Sequence, residues 1–418
     1  MTTYSDVLLV PEEFTTIQTA IDNANNGDMI SVAAGEYNES LDMVGKAVLL
    51  YGRNGTKSTT IDASGLDGSC IVCWSGEGQD TIIAGFTLTG GTGSINPQWQ
   101  TNQGGGMFIY NASPTILNCH IKENTAEFGG GGIWVQNSES MMLNLYFENN
   151  ETFKETRGGG GMYCWSSNVQ AYNCTFVGNT ADSGGAVKCK GSDTSVFTEC
   201  TFANNTSGAE GGAFSVASSS PTIERSIFES NYSHSYGGAL NVGGDNTIVT
   251  QCMFSRNSSQ ITGGAIRYNN TSGVVDQCNF SGNSTSLGGG GIVVNDSTIV
   301  VTGCSFQENN GGIQGGAIHH TNVSSTDVDN SMFCGNLPIP ITGGWNDLGG
   351  NSLDSSCIHD CEGDIDANGT VNSMDIIFLI SEFGPCSKLS SCFSDLNDDG
   401  TVDLDDLLIL INNWGTCD

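Results

Sequence analysis

Two stretches near the C-terminus carry oxygen side chains at spacings that suit a metal ion. In Asp364-Ile365-Asp366-Ala367-Asn368-Gly369-Thr370-Val371-Asn372-Ser373-Met374-Asp375, side-chain oxygens fall at positions 1, 3, 5, 9 and 12, with glycine at 6. Asp395, Asn397, Asp399, Gly400, Asp403 and Asp406 repeat the arrangement 31 residues later. A hard divalent cation takes about six to eight oxygens at roughly 2.3–2.6 Å, and one short loop of this spacing supplies them. The backbone carbonyls of Thr370 and Thr401 add one ligand to each set. The expectation is therefore calcium at two sites. An apolar run follows each loop, Ile376 to Ile380 and Leu407 to Ile411, and Gly384 and Gly415 end the expected helices.

The tandem loops resemble a dockerin, a module that plugs enzymes and surface proteins onto cohesin domains. Position 12 is Asp (Asp375, Asp406) rather than the Glu of a typical EF-hand, which matches the dockerin pattern. Ser373-Met374 and Leu404-Asp405 depart from the small hydroxyl pairs with which many dockerins recognise cohesin. The resemblance thus implies calcium and a cohesin-like partner, and leaves the partner's identity open. Two alternatives are that the module joins neighbouring copies of the chain or seals the end of the domain before it.

The cysteines fall into two kinds. Cys334, Cys357, Cys361, Cys386, Cys392 and Cys417 form an even set around a small domain that needs staples. The expected pairs are Cys361–Cys417, Cys386–Cys392 and Cys334–Cys357. Cys119, Cys174, Cys200, Cys252, Cys278 and Cys304 share one position of a repeat and are expected as a buried stack of small hydrophobes. Cys164 and Cys189 match on neighbouring repeats; a bridge fits their spacing, and free buried thiols are expected. Cys70-Ile71-Val72-Cys73 is an isolated C-x-x-C on a strand.

Acid–base chemistry on an acidic sugar polymer calls for carboxylates beside a Lys or Arg on adjacent repeats. The basic residues available are Arg157, Lys188, Lys190, Arg225, Arg256 and Arg267. Lys188 and Arg267 point outwards by register, but no Asp pair accompanies them in the same or the next repeat. His234, His319 and His320 read as surface residues. The insertion containing Glu151, Lys154, Glu155 and Arg157 departs from the period, as binding-face inserts of solenoids do, and is the candidate binding segment. With 12 Lys and Arg against 45 Asp and Glu, the net charge of −33 excludes nucleic acid and anionic membranes as partners. No run of 18 apolar residues suits a membrane span.

The element that must position these residues is a repeat. Cys252-Met253-Phe254…Asn257…Gly263-Gly264-Ala265-Ile266 recurs 26 residues on as Cys278-Asn279-Phe280…Asn283…Gly289-Gly290-Gly291-Ile292, and again as Cys304-Ser305-Phe306…Asn309…Gly315-Gly316-Ala317-Ile318. A circuit of 26 residues suits three short strands joined by tight turns. The fold expected is all-β, a right-handed three-sheet parallel β-helix with an N-terminal capping helix and a small α-helical calcium-binding module. Roughly eleven circuits about 4.8 Å apart give a rod on the order of 50 Å. Phe is expected to stack inside, and the Asn three residues later to take a left-handed turn conformation, with stacked Asn amides also able to hydrogen-bond from circuit to circuit. The expected divisions are 1–49 (cap and first coil), 50–340 (β-helix), 341–360 (linker) and 361–418 (calcium module).

The opening, Val10-Pro11…Thr16-Ile17-Gln18…Gly35-Glu36-Tyr37, resembles pectin-esterase-like right-handed β-helix proteins, and the repeats resemble those of polymorphic outer-membrane proteins. Sixteen Cys and about sixteen Asn-x-Ser/Thr sites point to an extracellular or cell-surface chain. Met1 to Asp6 lack the features of a signal peptide, so export implies a leader removed before this numbering. The leading functional expectation is a non-enzymatic surface, matrix or filament rod with carbohydrate bound or attached. The alternative is a dockerin-tethered polysaccharide lyase or glycoside hydrolase.

Overall fold

The computed structural model describes residues 6–154, 158–191, 193–244, 246–354, 357, 363–365, 370–386, 394–397 and 399–416. The repeat becomes register. Residues one period apart are partners on neighbouring parallel strands, as in Phe228↔Phe254↔Phe280↔Phe306. Each circuit crosses three main sheets. In one circuit these are sheet I at Thr247–Thr250, sheet II at Met253–Ser255 and sheet III at Ile266–Asn269. The sheets hold 14, 13 and 12 strands, and a seven-stranded ribbon lies between sheets II and III.

About thirteen turns are formed, judged by sheet II, against the eleven expected. Winding already begins at Val7–Val10. The segment read as a linker, 341–360, contributes Ile341–Thr342, Trp345–Gly349 and Ser352–Asp354 to the three sheets as a last turn. Those outer turns lack the Phe/Asn marker, so the pattern did not count them. The helix α1 (Ile17–Asn23) is N-capped by Thr16 and buries Ile17, Ala20 and Ile21 at the first turns.

Phe147, Phe176, Phe202, Phe228, Phe254, Phe280, Phe306 and Phe333 form one interior column with ring centroids 4.3–5.0 Å apart. Each is fully buried, which contributes about 2–3 kcal/mol per ring. Of the two tasks expected of the Asn column, it performs the amide ladder and not the left-handed turn. The left-handed residue is the one before it, for example Arg256 at φ 53° and Ser230 at φ 52°. Asn257 itself is buried; its Nδ2 donates to the Phe228 carbonyl (2.8 Å) and to Asn283 Oδ1 (3.0 Å). The amides therefore form an interior hydrogen-bonded ladder from Asn124 to Asn336. At the next corner, Gly263 has φ 73°, and a Cβ on Gly264 would lie 2.2 Å from the Gly290 carbonyl. Only glycine fits there.

The C-terminal module contains α2 (Ser373–Ser381) and α3 (Leu404–Asn412). Two short antiparallel pairs link them, Thr370–Val371 with Gly415–Thr416 and Gly384–Pro385 with Val402–Thr401. The module does not seal the rod's end. It lies on the flank of sheet II, where buried Met253 and half-buried Ile227 join its core of Val371, Leu379, Val402 and Leu410. Arg256 is clasped there between Glu229 (2.5 Å) and Glu382 (2.6 Å). Cys334 is bonded to Cys357, joining the rod to the segment beyond its last turn. Cys386 is also disulfide-bonded. Cys361, Cys392 and Cys417 lie outside the described residues.

Candidate functional site

The calcium loops fit a hard cation where they are described. Asp395, Asn397 and Asp399 converge: the Asp399 N–H donates to Asp395 Oδ1 (3.1 Å) and to Asn397 Oδ1 (3.0 Å). Asp406 is fully buried and accepts from the Leu396 N–H at 2.7 Å, which fixes a second carboxylate at the same loop. In the first loop Asp364 and Asp375 are buried. Asp366 and Asn368 lie outside the described residues. Asn372 and Asp403 are the N-caps of α2 and α3 and form capping boxes with Asp375 and Asp406. Thr370 and Thr401 sit in the short strand pairs. The donor set is oxygen throughout, which is calcium chemistry.

The insertion contributes less. Glu151 is exposed on the ribbon, Lys154 pairs with Glu127 at 2.5 Å across two exposed side chains, and Glu155 and Arg157 lie outside the described residues. Surface pairs of this kind stabilise little. Cys70 and Cys73 are buried free thiols. Burial pushes Cys70 up to about 12, so the C-x-x-C is unreactive. His320 is buried rather than on the surface, bonded to Thr326 (2.7 Å) and to the Thr342 carbonyl (2.9 Å).

Chemistry gathers instead on the outer face of sheet III. Strict register places one outward row as Phe108, Trp134, Tyr163, Lys188, Ser215, Asn241 and Arg267. The first three belong to an outer aromatic cluster with Phe128. The loop bearing Trp99 folds over it, the Trp99 ring lying 5.6 Å from Phe128 and from Trp134 and 4.8 Å from Trp165. Asn96 anchors this loop through Gln103 (2.7 Å) and Gln136 (3.1 Å). Trp165, half-buried at the rim, has Lys190 Nζ 5.3 Å from its ring.

Beyond this aromatic wall the row turns polar. The corner column carries Ser183, Glu210, Tyr236 and Thr262 on successive turns. Asn241 Nδ2 donates to Glu210 Oε2 at 3.3 Å, and Arg267 donates to Asn241 Oδ1 at 3.3 Å and to Asn269 Oδ1 at 3.1 Å. The Arg267 guanidinium lies 4.1 Å from the Tyr236 ring centroid. Burial lowers the Arg267 pKa below its usual value, against the opposing charges of Glu210 and Tyr236. Lys188 is buried and lies 5.9 Å from the Tyr163 ring. A carboxylate, a phenol and two cations thus share one strip beside an aromatic wall.

The sequence search missed this strip because it demanded Asp pairs at one position of the repeat. The carboxylate is Glu210, in the corner column next to the row of Lys188 and Arg267. The signal was present: aromatic residues at matching positions in Met107-Phe108-Ile109, Ile133-Trp134-Val135 and Met162-Tyr163-Cys164.

Residues 46–230 and 105–264 match the family described as right handed beta helix region. Residues 362–415 match the dockerin type I domain. No curated protein sequence matches the chain. Among solved structures, the catalytic unit of a GH87 α-1,3-glucanase from Streptomyces thermodiastaticus superposes with TM-score 0.50 at 12% identity, over 81% of this chain. The chain spans 66% of that unit's length. A mannuronan C-5 epimerase A-module from Azotobacter vinelandii gives TM-score 0.44 at 13% identity, over 81% of this chain and 93% of its own. A mannuronic acid specific polysaccharide family 6 lyase from human gut microbiota gives 0.44 at 10% identity, over 83% and 79%.

These findings overturn the expectation of a non-enzymatic surface, matrix or filament rod. The catalytic unit of the α-1,3-glucanase shares the fold, and the C-terminal module is of the dockerin type. Five of the sequons that suggested a glycoprotein belong to the ladder. Asn150, Asn205, Asn231, Asn257 and Asn283 are fully buried ladder residues, out of reach of a glycan.

Proposed function

The chain belongs to the right-handed β-helix family, and on that premise we propose that it is a dockerin-tethered enzyme cleaving polysaccharide on the outer face of sheet III. The observation that carries this reading is the linked set Glu210–Asn241–Arg267–Tyr236 with Lys188 on the same strip. On a chain of net charge −33, cations gathered at one place favour an acidic polymer. A lyase reading follows. β-Elimination on a uronate needs its carboxylate neutralised, the adjacent C–H proton removed and the leaving oxygen protonated. Arg267 supplies the neutralising charge at the reacting sugar, and Lys188, three turns along the same row, meets the carboxylate of another uronate of the chain. Glu210 and Tyr236 supply the proton transfers, and Asn241 holds Glu210 and Arg267 in place. A glycoside hydrolase would set two carboxylates across the scissile bond, whereas this hydrogen-bonded set holds Glu210 as its carboxylate.

The module supports the rest of the reading: two calcium ions, one per loop, order it as a dockerin, a cohesin-bearing partner takes it up, and the setting is extracellular. The test is incubation of the full chain with uronate polymers and with neutral glucans, following both unsaturated product by ultraviolet absorbance and new reducing ends. A lyase raises both signals on a uronate polymer, and Arg267→Ala lowers the rate by about 100-fold or more. Reducing ends without absorbance would make the enzyme a hydrolase. No product from any polymer, with no binding, would end the proposal.

A further inference from the structure

Inside the rod, where sheet III turns into sheet I, the apolar core is interrupted. Cys164 and Cys189 are register partners on adjacent turns, both free and fully buried. Asp193, also fully buried, turns inward beside them. One sulfur from each cysteine and one carboxylate oxygen all lie within 4.8 Å of one another. The Ser195 hydroxyl faces both Cys164 and Asp193 and accepts the Val169 N–H at 2.9 Å.

Neighbouring turns show what this position ordinarily needs. The column containing Asp193 carries Ser167 on the turn before and Ser219 on the turn after, with the Ser167 N–H reaching Asp193 Oδ2 (3.3 Å) and the Asp193 N–H reaching Ser219 Oγ (3.2 Å). A hydroxyl satisfies the ladder on both sides, so the carboxylate is surplus to the backbone's requirements. A buried carboxylate is costly unless a positive charge or a proton accompanies it. Asp193 is bonded by the Ser195 and Ser167 N–H groups, the Ser195 hydroxyl and the Cys189 thiol, and none of them brings a cation.

We propose that Cys164, Cys189 and Asp193, with the Ser195 hydroxyl as fourth donor, form a buried structural site for a zinc-like divalent ion. Two sulfurs at about 2.3 Å and oxygens at about 2.0–2.2 Å from a tetrahedral ion stand roughly 3.5–3.8 Å apart, within the observed cluster. The ion would replace the two thiol protons and bind the carboxylate oxygen directly, leaving one negative charge spread over the whole cluster instead of held on the Asp193 carboxylate alone. All four donors are enclosed, so the ion enters while the two turns wind, and its uptake is coupled to folding. The rival is a disulfide between Cys164 and Cys189, formed with loss of two electrons and two protons to an external oxidant, which leaves Asp193 uncompensated.

The test uses the full chain, freed of calcium with EGTA, analysed for metal by mass spectrometry and for thiol state by alkylation and peptide mapping. About one equivalent of zinc should stay with the native chain and leave on unfolding. Refolding with cobalt(II) should give a thiolate-to-cobalt charge-transfer band. Both signals should be lost in Cys189→Ser and in Asp193→Ser, the latter placing in the ladder the residue its neighbours carry. Asp193→Ser keeps the test decisive if Cys189→Ser fails to fold. A metal-free native chain, a Cys164–Cys189 disulfide in the map, or full metal retention by Asp193→Ser would each overturn the proposal.

Discussion

Replacing Asn257 by Ala tests the interior amide ladder directly. The substitution removes four bonds: Asn257 Nδ2 to the Phe228 carbonyl and to Asn283 Oδ1, and those that Asn257 Oδ1 accepts from the Asn231 N–H (3.0 Å) and Asn231 Nδ2 (2.9 Å). Two donors on Asn231 are then stranded where no water reaches, since Asn231 and Asn257 are both fully buried. Each stranded donor costs about 1–3 kcal/mol, and the small cavity adds to that, so a loss of roughly 3–5 kcal/mol is expected. A second amide column gives the control. Asn144 also exchanges amide bonds up and down the rod, with Asn118 (3.0 Å) and Asn173 (2.8 Å), but on the exposed surface. Its φ is 54°, so Asn144→Gly keeps the backbone relaxed and lets water take the bonds, at a cost under about 0.5 kcal/mol. Urea unfolding by circular dichroism gives the two losses, and hydrogen exchange shows whether the Asn257 defect is confined to adjacent turns, as nearest-neighbour coupling requires. If Asn257→Ala stays within about 1 kcal/mol of the parent, or Asn144→Gly costs as much, the ladder is not what holds the turns in register.

Three further outcomes are expected. Arg256→Ala removes both ion pairs at the module's seat, so the radius of gyration from small-angle scattering should rise; an unchanged profile would mean that the apolar contact with Met253 and Ile227 suffices alone. Removing calcium with EGTA should abolish the helical signal of α2 and α3 while the strand signal persists, and calorimetric titration should return two equivalents; one equivalent would assign a single working loop. Ser373 and Met374 line a cavity of about 1110 Å³ against the rod, whereas Leu404 is 66% exposed. Leu404→Asp should therefore weaken capture by a cohesin far more than Met374→Asp, and the reverse order would show that the module leaves the rod before it binds.

A strict period shows which residue lies over which, so the Phe column, the cysteine stack and the glycine corner were readable from spacing. The dockerin-type module was readable too, since its pattern is confined to two runs of a dozen consecutive residues. What crosses a corner was not. Glu210 meets Asn241 and Arg267 only because the chain bends between the ribbon and sheet III, and no count of residues gives that angle. The backbone conformation of the ladder Asn was misjudged for a related reason. Asn is favoured both in left-handed turns and in buried amide ladders, and the two positions are adjacent at this corner, as Asn204 (φ 54°) and Asn205 show. The module's seat was hidden because Ile227 and Met253 look like ordinary members of the outward row of sheet II.

On the function proposed above, stacking also lets one rod be tethered and still present a reactive face. Each outward row belongs to one sheet, and the sheets are separated by corners whose glycines and left-handed residues tolerate no shift of register. The module occupies sheet II, through Ile227, Met253 and Arg256. The strip from Tyr163 to Arg267 occupies sheet III. A partner that takes the module therefore meets a different wall from the one on which a polymer would lie. The two walls share an interior, however, because Phe254 and Tyr268 pack in one core. Damage to the ladder should therefore reach both walls at once, whereas changes in either outward row should remain local.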